Sequence, residues 1–462
     1  MMRPSMSAHE HPSVRKFAEH VSPALMKLLG AFGSGRAFVR AKGTTLWDHE
    51  GRAYLDLVSA HGAANLGHNP ARLVDALTRA ASDETPNLLH VGPQLHAAEL
   101  AAELARRTSP LERCLFSTTG AEAIDSAIKL ARAATRRKVI LYCKGGSHGK
   151  GLGALSISGT GRARDPFEPL LPGCFEIPFD DLEALERALT KHKGEVAAFV
   201  VEPVQCDAGV LVPESGYLKG AYALASKHGA LFVLDEVETG LGRTGRLFGY
   251  QGEGVVPDVL VLGRSLGGGM LPVSATLTTP EIHDRAFGRV DRFDLHGGTF
   301  SGYALGARVA IEVLTAIDEE KLPASAAARG ARLAEGLRDR VGSHPFVRAV
   351  RGRGLLVGLE LAPARRGGRL GRLLSGVVSG VSRSVLGQWL AVRLLERGIV
   401  AQPAAHQWNV LRLTPPLVVT DDEVDRVVNE IGAILDAYTE LPLLLADVGQ
   451  RLGAQFLTGL KL

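Results

Sequence analysis

Between about residue 95 and residue 280, short apolar runs alternate with stretches of helical periodicity, and this rhythm restricts the fold more than any other feature of the chain. The runs Val139–Cys143, Ala197–Val201, Ala230–Leu234 and Val259–Leu262 are almost without polar residues. A strand of that kind has to be buried on both faces, which happens when helices cover both sides of a parallel sheet. The stretches Glu122–Thr135 and Gly216–His228 have the spacing to supply that cover. The expected class is therefore α/β, with a large, mostly parallel sheet domain. After about residue 325 the pattern becomes α+β: a helix over Ser325–Val341, strands near Phe346–Arg351 and Leu355–Glu360, and a last helix over Asp421–Tyr438. Ahead of the sheet, residues 1–35 look like a loosely patterned arm, and Phe38–Asp56 alternates around Asp48-His49-Glu50-Gly51 as a hairpin does. The expected divisions are 1–70 for arm and hairpin, 71–324 for the large domain, 325–440 for a smaller C-terminal domain and 441–462 for a tail.

Charge narrows the partners. Lys and Arg total 53 against 49 Asp and Glu, and aromatics are 5%, so no basic stripe with interleaved aromatics points to nucleic acid. Cys114, Cys143, Cys174 and Cys206 stand far apart, with no CxxC pair and no histidine at metal spacing. They read as reduced thiols of a cytoplasmic protein that holds no metal. Met1–Phe17 is polar and broken by Pro4 and Pro12, unlike a secretory leader. No apolar run is long enough to span a bilayer. Two segments stand apart. Arg365–Arg397 sets Leu370, Leu374, Val377, Val381 and Trp389 at helical spacing among Arg366, Arg369, Arg372 and Arg383, a basic amphipathic insertion. The tail repeats the theme with Leu445, Val448, Leu452, Phe456 and Leu460. Packing on the small domain is the first reading of both; an apolar substrate channel, a partner protein or peripheral contact with an anionic membrane are the others.

The motifs carry the chemistry. Ser117-Thr118-Thr119-Gly120-Ala121-Glu122-Ala123 opens a helix with small residues, which leaves free backbone N–H groups at the positive dipole end, a ready anion site. Asp235-Glu236-Val237-Glu238-Thr239-Gly240 ends an apolar strand, where open α/β sheets place ligands. Gly242-Arg243-Thr244-Gly245, Pro257-Asp258 and Leu262-Gly263-Arg264-Ser265-Leu266-Gly267-Gly268-Gly269 follow it. Ser147-His148-Gly149-Lys150, Glu202-Pro203-Val204-Gln205, His296-Gly297-Gly298-Thr299-Phe300 and Arg412-Leu413-Thr414-Pro415-Pro416-Leu417 stand around them. In order and spacing this set resembles the class III aminotransferases of pyridoxal 5′-phosphate (PLP) fold type I, within them the putrescine and ornithine branch, over roughly residues 35–440.

The resemblance implies a homodimer with a small-molecule amine or carboxylate substrate. It implies that Thr119, Gly120 and Ala121 hold the phosphate, that Thr299 reaches the phosphate of the neighbouring subunit, and that Asp235 pairs with the pyridinium nitrogen. It places Val237 under the ring, Ser147 and His148 in the loop that faces it, and Glu202 and Arg412 on the substrate side, the arginine gripping a carboxylate. Three positions depart from the family pattern. Arg264 stands where the Schiff-base lysine belongs, Ser147 where an aromatic stacks on the ring, and Glu238 where a glutamine sits beside the phenolic oxygen. A lysine amine can lose its proton, condense with an aldehyde and shuttle a proton between two carbons. A guanidinium stays protonated, with a pKa above about 12, and does none of these. Ordinary transamination is therefore expected to be absent or strongly impaired, and PLP to be bound non-covalently if at all. The changes at 238 and 264 compensate in charge, so a Glu238–Arg264 ion pair is expected to close that space.

Plainer readings stand beside these. The Thr119-Gly120 turn can serve the fold alone, Asp235 can be a solvated strand-end acid, and Arg412 can pair with an acid of the small domain. His148 reads first as a satisfied loop histidine, and Lys144 and Lys150 as surface lysines. The competing functions are an aminotransferase-family enzyme, an enzyme of altered chemistry holding PLP or another phosphorylated ligand without a covalent bond, and a non-catalytic partner paired with an active paralogue.

Overall fold

A computed structural model describes residues 11–31, 35–159, 161–362 and 386–448. Its centre is a seven-stranded sheet built from β4 (Arg113–Ser117), β5 (Val139–Cys143), β6 (Cys174–Ile177), β7 (Val196–Val201), β8 (Leu231–Asp235), β9 (Val259–Leu262) and β10 (Ser274–Thr278), in the order β4-β10-β9-β8-β7-β5-β6. The five strands from β9 to β6 in that order pair in parallel, and β10 runs antiparallel between β9 and β4. Every residue of β5, β7, β8 and β9 is buried. Their period of two divides them between two cores. Leu141, Phe199, Phe232, Leu234 and Leu260 meet the helices Tyr217–Lys227 and Ala304–Glu319. Ile140, Tyr142, Val200, Val233 and Val261 meet Ile124, Ala127, Ile128 and Ala131 of the helix Gly120–Thr135. The apolar runs are strands because each side of each one has a helix to bury against.

The C-terminal part is α+β as expected. Strands β11 (Val347–Arg353) and β12 (Leu356–Leu361) pair with β15 (Val410–Leu413) and β14 (Gln402–Pro403), all antiparallel, beside the helices Leu322–Val341 and Asp421–Asp436. The N-terminal hairpin is larger than expected. Strands β1 (Phe38–Lys42), β2 (Thr45–Asp48) and β3 (Ala53–Asp56) are joined in parallel by β13 (Ile399–Val400), which ties the hairpin to the far end of the chain. The arm is not loosely patterned over its described part: it forms helices Pro12–His20 and Pro23–Ala31. Each starts on a proline, whose missing N–H costs nothing in a first turn.

Most of the basic insertion, residues 363–385, and the end of the tail, residues 449–462, lie outside the described residues. What is described packs inward. A helix over 386–396 buries Leu386, Trp389, Leu390 and Leu394. Trp389 donates from Nε1 to Asp447 at 2.7 Å, and Leu444 of the helix Leu441–Val448 is 1% exposed. Cutting the chain before Leu441 should therefore lower the unfolding free energy by about 2–5 kcal/mol, the range for emptying a buried leucine site. Urea unfolding checks this, and an unchanged midpoint would mean the tail helix contributes no packing. Among the described residues no helix is long and apolar enough to cross a membrane, and no cluster of His, Cys, Asp and Glu is arranged to hold a metal ion.

Candidate active site

The carboxyl ends of the parallel strands meet at one edge of the sheet. There β8 delivers Asp235, β7 is followed by Glu202, β9 by Arg264, and β5 by the loop carrying Ser147 and His148. Beside them begins the helix Gly120–Thr135. Thr119 caps it, its Oγ1 accepting from Glu122 N at 3.3 Å, and the Glu122 carboxylate accepts from Thr118 N at 2.8 Å. The first-turn N–H groups of Gly120 and Ala121 have no helical carbonyl to bond, so they and the dipole are open to an anion. Gly120 has to be glycine here, because a Cβ would lie 2.8 Å from Cγ1 of Val237.

Asp235 is buried rather than solvated, at 4% exposure. Its Oδ1 accepts from Val237 N at 2.9 Å, and its Oδ2 lies 2.6 Å from Nδ1 of His148. His148 is correspondingly buried, and it is satisfied at only one ring nitrogen: Nε2 has no partner among the described residues. Glu202 accepts from Ser147 N at 3.1 Å. Burial, and after it the like charges of Asp235 and Asp207, push its carboxyl well above the usual range.

Arg264 and Glu238 form the expected pair, with Nη1 2.8 Å from Oε2. The same Nη1 donates to the carbonyl of His61 at 2.5 Å. Oε1 of Glu238 lies 3.2 Å from Nη1 of Arg412, too poorly aligned for a hydrogen bond, so one carboxylate stands between two guanidiniums. Arg412 also donates to Asp207 at 2.8 Å, and its Nη2 lies 2.7 Å from Nδ1 of His61. Its acids thus come from the sheet side and not from the small C-terminal unit. Burial works against the Arg264 charge, but Glu238 and then Asp207 more than offset it and hold the guanidinium above its ordinary pKa. Burial also opposes ionisation of Asp207, yet Arg412 keeps its carboxyl below the usual value. His61 is pushed the other way, by burial and then by Arg412 and Arg264, so its ring stays neutral and Nδ1 accepts.

The turn that presents His61 is left-handed. Ser59, Ala60, His61 and Gly62 have φ of 43°, 51°, 57° and 86°. For L-residues this costs about 1–2 kcal/mol each. The turn is tied down by Asp56 Oδ1, which accepts from Val58 N and Ser59 N at 2.8 and 3.0 Å, and by Ser59 Oγ, which donates to Thr414 O at 2.6 Å. Arg264 is itself left-handed at φ 45°. Backbone strain of this kind concentrates at functional sites.

Sequence reasoning missed Asp207, His61 and Gln402, whose Nε2 lies 2.9 Å from Nδ1 of His61. Asp207 follows Glu202 closely and was findable as a second acid after the same strand, whereas nothing local marks His61 or Gln402. Thr299 is exposed and is not brought to the other site residues within this one chain; its loop is held on the outside of the Gly120 helix by Ser126 and His296 at 2.5 Å. Lys144 and Lys150 are exposed. Tested against PLP, the residues fit in part. A capped helix start with an obligatory glycine suits the phosphate, and a buried carboxylate held by a histidine suits a pyridinium nitrogen. Where the resemblance expects the lysine that meets the aldehyde, the group present is the paired guanidinium of Arg264, which does not suit covalent attachment.

The family model for class III aminotransferases matches residues 33–435. Aminotransferase PigE of Serratia sp. (strain ATCC 39006) is 33% identical over 452 residues, covering 91% of this chain and 53% of the relative, so the chain spans about half the length of that protein. Ornithine aminotransferase of Bacillus cereus (strain Q1) is 34% identical, covering 86% of this chain and 93% of the relative. Among solved structures, an ornithine aminotransferase from Toxoplasma gondii, crystallised with oxidised glutathione and with partial PLP occupancy at its active site, superposes with a TM-score of 0.77 at 33% identity, over 87% of this chain and 90% of that one.

Proposed function

Because the chain belongs to the class III aminotransferase family, we propose that it keeps the family's phosphate and pyridinium ends, binds PLP or a related phosphorylated pyridine without a covalent bond, and does not run ordinary transamination. The observation that carries this is the Arg264 guanidinium, engaged by Glu238 and by the carbonyl of His61 where a lysine amine would be needed. When bound, PLP supplies an electron-withdrawing ring. The chain's residues divide the remaining tasks. Gly120 and Ala121 N–H groups bind the phosphate, Asp235 keeps the ring nitrogen charged while His148 orients that carboxylate, and Val237 supports the ring. Arg412 remains the carboxylate donor for an amino-acid ligand, but such a ligand must first displace Asp207 and Glu238. Mixing the protein with PLP and then putrescine, ornithine or alanine should form no pyridoxamine 5′-phosphate beyond a protein-free control over hours, and dialysis should remove the ligand. Conversion above that control by any of the three amines would contradict the reading.

A second reading concerns assembly. Val91, Leu95, Val290, Phe293, Leu295 and Phe300 are exposed at 94%, 64%, 90%, 70%, 55% and 47%, in the two segments that flank or contain Thr299. A patch of this kind favours a dimer in which each subunit lends Thr299 to its neighbour. Whether the neighbour is a second copy or an active paralogue is decided by the mass and composition of the complex isolated from its source cells.

A further inference from the structure

This inference rests on the non-covalent reading above. We propose that Arg264 makes the lysine position a charge filter, so that the site prefers a pyridine 5′-phosphate carrying a carboxylate on carbon 4 over the aminomethyl form. The carboxylate ligand is pyridoxic acid 5′-phosphate; the aminomethyl one is pyridoxamine 5′-phosphate.

Both contacts of the Arg264 guanidinium fall on Nη1, at 2.5 Å to His61 O and 2.8 Å to Glu238 Oε2. Nε and Nη2 donate to no other described residue, and 28% of the side chain reaches solvent. A fork of N–H donors is therefore left without a partner among the described residues. Glu238 offsets the guanidinium charge on one side only, through Nη1. It is 8% exposed, and its two oxygens are directed at Arg264 and Arg412. Asp207 is likewise committed to Arg412. The donors left over at this point are thus Nε and Nη2 of the guanidinium. The backbone that carries it lies close to the anion site: a Cβ on Gly263, the residue before Arg264, would stand 3.5 Å from Gly120 Cα and 3.4 Å from Val237 Cγ1.

A lysine at this position reacts with the carbon-4 substituent, so the free Nε and Nη2 donors of Arg264 are taken to meet that substituent. A planar fork of donors matches a carboxylate in two-pronged fashion, while an ammonium group brings like charge to a site sheltered from solvent. A neutral aldehyde falls between. Only binding is involved, and no bond is made or broken.

Calorimetric titration of the full-length protein with pyridoxic acid 5′-phosphate, PLP and pyridoxamine 5′-phosphate tests the proposal. The carboxylate form should bind at least about tenfold tighter than the aminomethyl form, with the aldehyde between, and Arg264→Gln should bring the three within about threefold. Equal affinities, or tightest binding of the aminomethyl form, would overturn the charge filter and leave non-covalent binding standing. An order that persists in Arg264→Gln would overturn it too, since other groups would then set the preference. If none of the three binds a protein shown folded by circular dichroism, the non-covalent reading fails and the filter with it.

Discussion

Arg264→Lys alone should fail to restore transamination, while Arg264→Lys with Glu238→Gln and Ser147→Tyr should restore it by about 10²–10⁴-fold over the parent, the range a positioned general acid–base contributes. The single change supplies an amine but puts it where the guanidinium now sits, 2.8 Å from Glu238. A carboxylate at that distance favours the charged ammonium and raises the amine's pKa, the opposite of what attack on an aldehyde needs. Glutamine at 238 removes that charge and keeps a group able to bond Arg412. Ser147, part-buried in the loop after β5, offers no ring face, and its replacement by tyrosine should recover about 0.5–1.5 kcal/mol of cofactor affinity. Rates of the half-reactions with putrescine, ornithine and alanine measure the effect. Full activity from Arg264→Lys by itself would show the other two positions to be neutral.

Glu238→Ala should destabilise the protein by about 2–3 kcal/mol. Removing one partner of a buried ion pair costs about 3–5 kcal/mol, and two features lower the figure here. Arg264 keeps 28% of its side chain in solvent, and Arg412, at 1%, retains Asp207. Glu238→Gln should lose less, and Glu238→Ala combined with Arg264→Ala should lose less than the two single changes added together, because the guanidinium left unpaired by the first is removed by the second. Urea unfolding of the four proteins gives the comparison. A neutral Glu238→Ala would mean that the carboxylate is solvated and does not organise the two arginines.

Strands buried on both faces were the most legible part of the fold, because their sequence has no alternation to misread: β5 and β9 lie where the apolar runs place them. β10 was not legible for the opposite reason. Its serine and threonines suggest an exposed segment, yet all five residues are buried, with Thr276 Oγ1 donating to Ala123 O and Thr278 Oγ1 to Asp258 O. The first arm helix was hidden by Pro12, read as a breaker instead of a first-turn residue. In the site, the Glu238–Arg264 pair could be anticipated because two departures from one pattern cancelled in charge. His61 could not, since its role depends on a left-handed turn that no local preference announces and on partners about 200 and 350 residues away along the chain.

The claim that the chain holds PLP without a covalent bond meets its most direct test in borohydride reduction of the protein with PLP, followed by peptide mapping by mass spectrometry. No pyridoxyl group should be found on any residue of the cleft, and Arg264 should be recovered unmodified. A stoichiometric pyridoxyl adduct on Lys144 or Lys150 would contradict it, for the amine would then have moved to the loop beside Ser147 and the chain would be a covalent PLP enzyme after all.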